Sequence, residues 1–347
     1  MASVYLLSAA PYEPERDPLA HSDLENMLAA ATHDRFRVHD LTEDPRNADI
    51  ILFVETISTF TYRNHYFQQV KKHPVYRQFC QKCYLFASAD KIIPFLPGIY
   101  ASIERRWYSP TWTRSGFYPG VKEGVDEEYD ASHEPSLLFS FVGSADTHSV
   151  RSRVMRLRHP DGLLVDSNAE SLAAAHTERP AMSSGDSRAR YVRSIKDSAF
   201  VLCPRGGGTS TFRLFETMML GRVPVVISDQ WVPPDGPNWE TFSLRVKETE
   251  VDTLPARLEA RAADAPCMGR AARAAWSEWF SSPAYFHRTV EWCLDLERFV
   301  SRRAGYRRYA PFVQMLRPYH AARVIAKRVG HGYVPPSRLQ DAPPSAP

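Results

Sequence analysis

No stretch of the chain reaches the roughly 18 uninterrupted apolar residues that a membrane span needs, so no transmembrane helix is expected. The first residues carry no positive leader and only a short apolar run before Pro11, which predicts a first β-strand and no signal peptide. An excess of one charge sign is missing too: the formal net charge is +3, which argues against a dedicated nucleic-acid binder. Cysteine is scarce. The five present are odd in number and irregular in spacing, unlike a secreted disulfide framework, so a reducing, cytoplasmic setting is expected. Cys80 and Cys83 form one close pair, but a zinc ribbon needs a second, and Cys203, Cys267 and Cys293 stand alone; no metal site is expected. No internal repeat is visible, and 347 residues of ordinary globular composition suffice for two domains.

Two common phosphate-binding patterns are absent as well. Around Gly206, Gly207 and Gly208 there is no Gly-Lys-Ser/Thr, as a P-loop requires, and Thr211 stands where the dinucleotide fingerprint needs its third glycine. The stretch 199–246 nevertheless describes a nucleotide-sized site. Residues 199–203, stopped by Pro204, and 223–227 are short apolar runs that predict strands buried on both faces. The glycines let the backbone approach a ligand, Thr209, Ser210 and Thr211 are N-cap residues, and a helix over 212–220 stops at Gly221. The first amides of that helix lack intrahelical partners and its dipole is positive there, so a phosphate or pyrophosphate is the expected guest, flanked by Arg205 and Arg213. Glu216 lies among Phe212, Phe215, Met218 and Met219, and a buried carboxylate needs a partner: ligand hydroxyls such as those of a ribose, or Arg213 at i,i+3.

In order and spacing, four pieces resemble the donor-binding core of the exostosin-like glycosyltransferases, glycosyltransferase family 47. They are Cys203-Pro204-Arg205-Gly206, the run from Ser210 to Glu216, the run from Gly221 to Val226, and Asp229-Gln230-Trp231 closing on Asn238-Trp239. The resemblance implies an α/β protein of GT-B type, with two doubly wound Rossmann-like domains facing a cleft. It implies an inverting transfer of a sugar from a nucleotide diphosphate sugar, UDP-sugars favoured, to a glycan or other hydroxyl acceptor. Donor contacts are then expected from Arg205, Gly206, Gly207, Gly208, Thr209, Ser210, Thr211, Arg213, Glu216, Asp229 and Trp231, with Trp239 completing the wall. The family also shows an apolar strand, a glycine and then an arginine opening a helix; Arg151 matches, as a donor phosphate contact or as a surface arginine. The chain contains no Asp-x-Asp pair, the usual metal-diphosphate handle of the other large transferase fold, so neither metal nor further cofactor is expected. Animal and plant members usually carry a membrane anchor; without one the chain reads as a bacterial-type cytoplasmic enzyme.

Taken in order, strands at 4–7, 36–38, 50–54, 84–87 and 137–142, with helices at 19–31 and 62–82 broken near Pro74, predict parallel sheets. A polar excursion is expected over 166–190, then helices at 191–198, 251–263, 268–280 and 283–300. The implied domains are 1–140 (acceptor side), 141–300 (donor side), a basic helical segment at 301–330 packing back on the first domain, and a disordered tail at 331–347. The loop region 94–134 is rich in aromatics, and Trp107, Tyr108 and Trp112 there are either acceptor contacts or plugs on a core. Residues 299–329 contain no acid, and a basic amphipathic helix there is a solvated face or a contact for an anionic membrane surface or acidic glycan. That segment supports the contrasting reading of a non-catalytic module for polyanions or membrane surfaces. For an enzyme, the base that takes the acceptor proton is sought across the cleft: Glu55 after the strand at 50–54 comes first, then His65, then Asp146, each with a purely structural role as the alternative.

Overall fold

The chain's apolar runs pair in parallel throughout, as strands joined through helices must. The computed structural model describes residues 1–11, 15, 21–56, 66–90, 93–119, 125, 128–168 and 184–300, and beyond these only 309, 313, 316, 318 and 321. His65, nearly all of the basic segment 301–330 and the tail 331–347 lie outside the described residues.

The first unit runs β1 (Ser3–Leu7), α1 (Ser22–Thr32), β2 (Asp40–Leu41), β3 (Ile50–Glu55), α2 (Tyr66–Lys72), α3 (Pro74–Phe79), β4 (Cys83–Ala87), β5 (Gly98–Tyr100) and β6 (Thr113–Ser115). Its sheet has the order β2-β1-β3-β4-β5-β6. Every residue of β3 and β4 is buried, which is why these strands read as continuous apolar runs without alternation. Pro74 separates α2 from α3, and His73 caps the second helix by accepting from the Val75 amide. The strand expected at 36–38 does not form. Arg37 sits at φ 51°, and the Asp34 carboxylate takes the amides of Phe36 and Arg37, so this stretch turns and pairing begins only at Asp40.

The second unit runs β7 (Leu137–Val142), α4 (Ser149–Val154), β8 (Gly162–Val165), α5 (Ser184–Lys196), β9 (Ser198–Pro204), α6 (Phe212–Met219), β10 (Val223–Ile227), β11 (Leu244–Val246), α7 (Leu254–Glu259), α8 (Ala265–Trp279) and α9 (Ser282–Glu297). Its sheet order is β11-β10-β9-β7-β8. Helix α6 ends as expected: Gly221 takes φ 66°, and its amide and that of Leu220 return to Met218 and Glu216 carbonyls. Two helices differ from expectation. Helix α5 starts at Ser184, inside the stretch read as a polar excursion, and the helix expected at 251–263 is a 3-10 turn (Glu248–Thr253) followed by the short α7, with Pro255 in its first turn.

The units share one core. Ile99, Phe117 and Tyr118 of the first cluster with Phe215, Met218 and Trp231 of the second, together with Phe280 and Trp292. Helix α9 crosses back onto the first unit, where the Tyr285 hydroxyl donates to the Asn26 carbonyl of α1 and the Arg35 amide donates to the Pro283 carbonyl at 3.0 Å. Two parallel-sheet α/β units with the last helix returned to the first make a GT-B type architecture. Among the described residues no helix is long and apolar enough to cross a membrane.

Candidate functional site

In the second sheet β8 lies on one side of β7 and β9 on the other, so strand order reverses between β7 and β9. A crevice opens at the carboxyl ends of parallel strands at such a point, and three arginines meet there. Arg213, in the first turn of α6, lies with its guanidinium carbon 4.4 Å from the Phe141 ring centre and 5.6 Å from that of Tyr191. Its Nη2 donates to the Val142 carbonyl at the end of β7. Arg151, from α4, donates from Nε to the Arg205 carbonyl at 3.0 Å and from Nη1 to the Ser144 carbonyl at 3.2 Å. Burial, and next the charge of Arg213, push the Arg151 pKa down to about 10; Asp90 of the first unit opposes that shift. Arg205 has Nη1 3.9 Å from Glu248 Oε1.

This cluster is rich in donors without acceptors. Arg213 Nε and Nη1, Arg205 Nε and the Ser210 hydroxyl are all buried with no hydrogen-bond partner. Leaving a buried polar group unsatisfied costs about 1–3 kcal/mol each, more when charged. An anion accepting from several of them would remove that cost and balance the mutual repulsion of the guanidinium groups.

Glu216 is 4% exposed and is held differently from the i,i+3 expectation. Arg188 Nη1 donates to its Oε1 at 3.1 Å and the Tyr191 hydroxyl donates to its Oε2, both from α5, while Arg213 points to β7. Burial first, tempered by Arg213 and reinforced by Glu216, holds the Tyr191 hydroxyl pKa well above its ordinary value, so it stays a donor. The helix expected over 191–198 contains Tyr191 but leaves Arg188 in the polar excursion; with the helix starting at Ser184, their i,i+3 spacing puts both on one face.

Two amides of the loop leading into α6 are already engaged within the protein. Thr209 and Ser210 amides donate to Ser102 Oγ of the first unit at 2.6 and 3.1 Å, and the Thr209 hydroxyl donates to the Ile103 carbonyl at 3.2 Å. A hydroxyl from the other unit thus takes the loop amides just before the N-cap of α6, and Thr209 is a seam residue. Gly208 is where that seam is tightest: a Cβ there would overlap Ser102 Oγ and come within 2.8 Å of Asp90 Oδ1. Gly206 and Gly207 complete the loop, and Thr211 is the N-cap of α6 without a side-chain capping bond.

Of the proposed pocket walls, Asp229 is exposed and locked in a reciprocal pair, its amide donating to Glu248 Oε1 and its Oδ1 accepting from the Glu248 amide, both at 3.1 Å. Trp231 is 3% exposed, bridges Glu104 through its backbone and meets Trp239 edge-on at 5.0 Å, so both rings belong to the core. Trp112 is core too. Its indole N–H donates to the Pro94 carbonyl at 2.9 Å, leaving no face for a sugar. Trp107 and Tyr108 are half-buried against the first unit's second core cluster.

In the first sheet order reverses between β1 and β3, and Glu55 ends β3 at that point. It is fully buried, accepting from the Ala9 amide at 2.7 Å and the Ser8 hydroxyl at 3.1 Å, one on each oxygen. Burial, tempered by those two bonds, pushes its pKa up to about 7. It pins the end of β1 to β3 and, at 0% exposure, presents no surface to an acceptor. Asp146 lies exposed after β7, in the second unit, its amide donating to Ser144 Oγ at 3.3 Å and its Oδ2 accepting from Asn168 at 3.3 Å; it is on the donor side. A carboxylate the sequence reading missed is Asp90, just past the carboxyl end of β4. It is exposed, accepts from the Tyr118 hydroxyl at 3.0 Å, and faces the glycine loop and arginines across the seam.

Comparison with known proteins agrees with the motif reading. Residues 118–260 match the Exostosin GT47 domain. A protein named Exostosin-1 homolog from Caenorhabditis elegans is 37% identical over 70 residues, 20% of this chain and 18% of that protein. A probable glycosyltransferase of Arabidopsis thaliana is 38% identical over 66 residues, 18% of this chain and 14% of that protein. The chain thus matches less than a fifth of the length of either relative. Among solved structures, Anabaena HepE in complex with UDP overlaps with TM-score 0.34 at 9% identity, over 84% of this chain and 99% of that one. WaaG, a glycosyltransferase involved in lipopolysaccharide biosynthesis, overlaps with TM-score 0.35 at 12% identity, over 81% of this chain and 97% of that one. Overlaps this small carry no functional weight. Residues 118–260, where the glycine loop, α6 and the arginines sit, are thus similar to the Exostosin GT47 domain.

Proposed function

We propose that this chain is an inverting glycosyltransferase that moves a sugar from a nucleotide diphosphate sugar, a UDP-sugar by preference, to a hydroxyl acceptor. The observation that carries the reading is the set of buried, unpartnered N–H groups of Arg213 and Arg205 beside Arg151, at the order reversal of a sheet within the Exostosin-like segment. The diphosphate binds to the guanidinium groups, since the Thr209 and Ser210 amides are engaged by Ser102. Glu216, held by Arg188 and Tyr191, takes donor hydroxyls through its remaining lone pairs.

Three cations around the leaving group supply the charge stabilisation that other transferases obtain from a metal, so the reaction needs no ion. Asp90 is the base. It comes from the opposite unit, is exposed, and has one oxygen fixed by Tyr118, which leaves the other to take the acceptor's hydroxyl proton as the acceptor oxygen bonds to the anomeric carbon and the diphosphate departs with the electron pair of the broken carbon–oxygen bond. Glu55 holds β1 and β3 in register beneath it.

The test is a thermal-shift panel of UDP, GDP and their common sugars on the full chain, followed by a search for released nucleoside diphosphate with hydroxyl acceptors. A nucleotide that binds the folded state raises the melting temperature by linkage. Stabilisation by unrelated polyanions alone, abolished by salt, would refute the reading and favour a polyanion-binding module.

A further inference from the structure

Away from the cleft, two histidines and a glutamate come together where the returning helix meets the first unit. His287 and Glu291 are four residues apart on α9, hence on one face of that helix. His39 arrives from the turn before β2. Its Nε2 lies 2.9 Å from Glu291 Oε1, and its side chain is 0% exposed. The two imidazole rings are 5.0 Å apart, centre to centre, and Phe36 stacks on His287 at 4.1 Å, fixing that ring. One donor atom from each of the three residues lies within 4.8 Å of the other two.

Each histidine keeps one ring nitrogen unsatisfied. Nδ1 of His39 and Nδ1 of His287 are both buried without a partner. A neutral imidazole offers one lone pair, and a cation is the guest that would draw two such rings and a carboxylate together. The nearby Arg288 is drawn partly aside by Glu278 at 3.3 Å.

We infer that His39, His287 and Glu291 form a binding site for a divalent transition-metal ion, zinc being the best fit. Two imidazoles and one carboxylate are a donor set that suits zinc and its neighbours; magnesium and calcium seek oxygen. Tetrahedral zinc with bonds of about 2.0–2.1 Å separates its ligand atoms by roughly 3.3 Å, so the triad closes by side-chain shifts of about an ångström. Glu291 is 47% exposed, which leaves an entry path and a fourth position for water. Asp40 pairs with Ser3 at the amino end of β1, so the site lies at the opposite end of the sheet from the crevice and takes no part in donor binding. The ion would clamp α9, which follows the second unit, to the 36–39 turn of the first.

The experiment is equilibrium dialysis of the chelator-treated full chain against zinc chloride, with melting temperature and the cobalt(II) absorption spectrum as second readouts. Expected are one equivalent of zinc, a raised melting temperature, and a tetrahedral cobalt spectrum without thiolate charge-transfer bands. Glu291→Gln, at a half-exposed position that should leave folding intact, weakens zinc by at least about tenfold, the scale already set by loss of an outer-shell partner. His287→Gln abolishes stoichiometric binding. The inference is overturned by failure to retain zinc at micromolar free concentration, by binding unchanged in both variants, or by a thiolate cobalt spectrum pointing to cysteine instead.

Discussion

The two sheets each reverse strand order once, and the two reversal points are built in opposite ways. In the first, Glu55 is enclosed and both oxygens are bonded, to Ala9 and Ser8, so the point is closed and self-sufficient. In the second, Arg213 and Arg205 carry buried N–H groups with no acceptor, which on the proposed reading await an anion. Similar topology thus serves as a pin in one unit and, on the proposed reading, as a receptor in the other. What differs is whether the charged group at the strand end finds its partners inside the protein.

The largest expected effect tests the pin. Glu55 has its pKa raised to about 7 from an ordinary 4.5, so the folded state holds that proton more tightly than the unfolded chain. Its stabilising contribution is complete below about pH 4.5 and is lost as pH rises through about 7, amounting to at most about 3 kcal/mol. Denaturant midpoints at about pH 5 and pH 8 should show that loss in the parent and much less of it in Glu55→Gln, with turnover within a few-fold. A variant that keeps the full pH dependence would show that Glu55 is not its source.

Asp90 tests the assignment of the base across the seam. Asp90→Asn should lower turnover by about a hundredfold or more with nucleotide binding retained. Near-normal turnover in single-turnover assays would return the role to another carboxylate. The receptor itself is probed by Arg213→Ala, which removes a charge-assisted contact worth roughly 1.5–3 kcal/mol and should weaken nucleotide binding about tenfold or more by calorimetry. Unchanged affinity in a folded variant would mean that the diphosphate binds elsewhere.

The smallest effect sharpens the boundary between the two regions. Ser102→Ala strips the Thr209 and Ser210 amides of their acceptor and should lower stability by about 1 kcal/mol without ligand. Added nucleotide should recover more of that loss in the variant than in the parent if freed amides join the anion site, a difference readable in melting temperature with and without UDP.

The strand–glycine loop–helix–strand core was legible residue by residue. β9, α6 and β10 depend on local chemistry: apolar runs for strands buried on two faces, glycines before an N-cap, and Gly221 in the left-handed conformation ending the helix. Misreadings came where a local pattern competed with a longer-range one. The 36–38 run is apolar enough for a strand, but the Asp34 carboxylate gave its amides a turn instead. Aromatics near turns read in sequence as ligand contacts or as plugs on a core, and Trp112, Trp231 and Trp239 are buried where the first sheet, the second unit and their shared core meet.

The sequence by itself determined the α/β class, the place of the glycine loop and which arginines flank it, because each follows from residues within one or two turns of chain. Only the tertiary structure decided what those groups face. Ser102, more than a hundred positions from Thr209, occupies the loop amides of Thr209 and Ser210; Arg188 and Tyr191 claim Glu216; and Asp90 looks across at Arg151. Whether a charge is satisfied is a property of the neighbours that packing brings to it, and those neighbours come from strand ends and helices that no local pattern links.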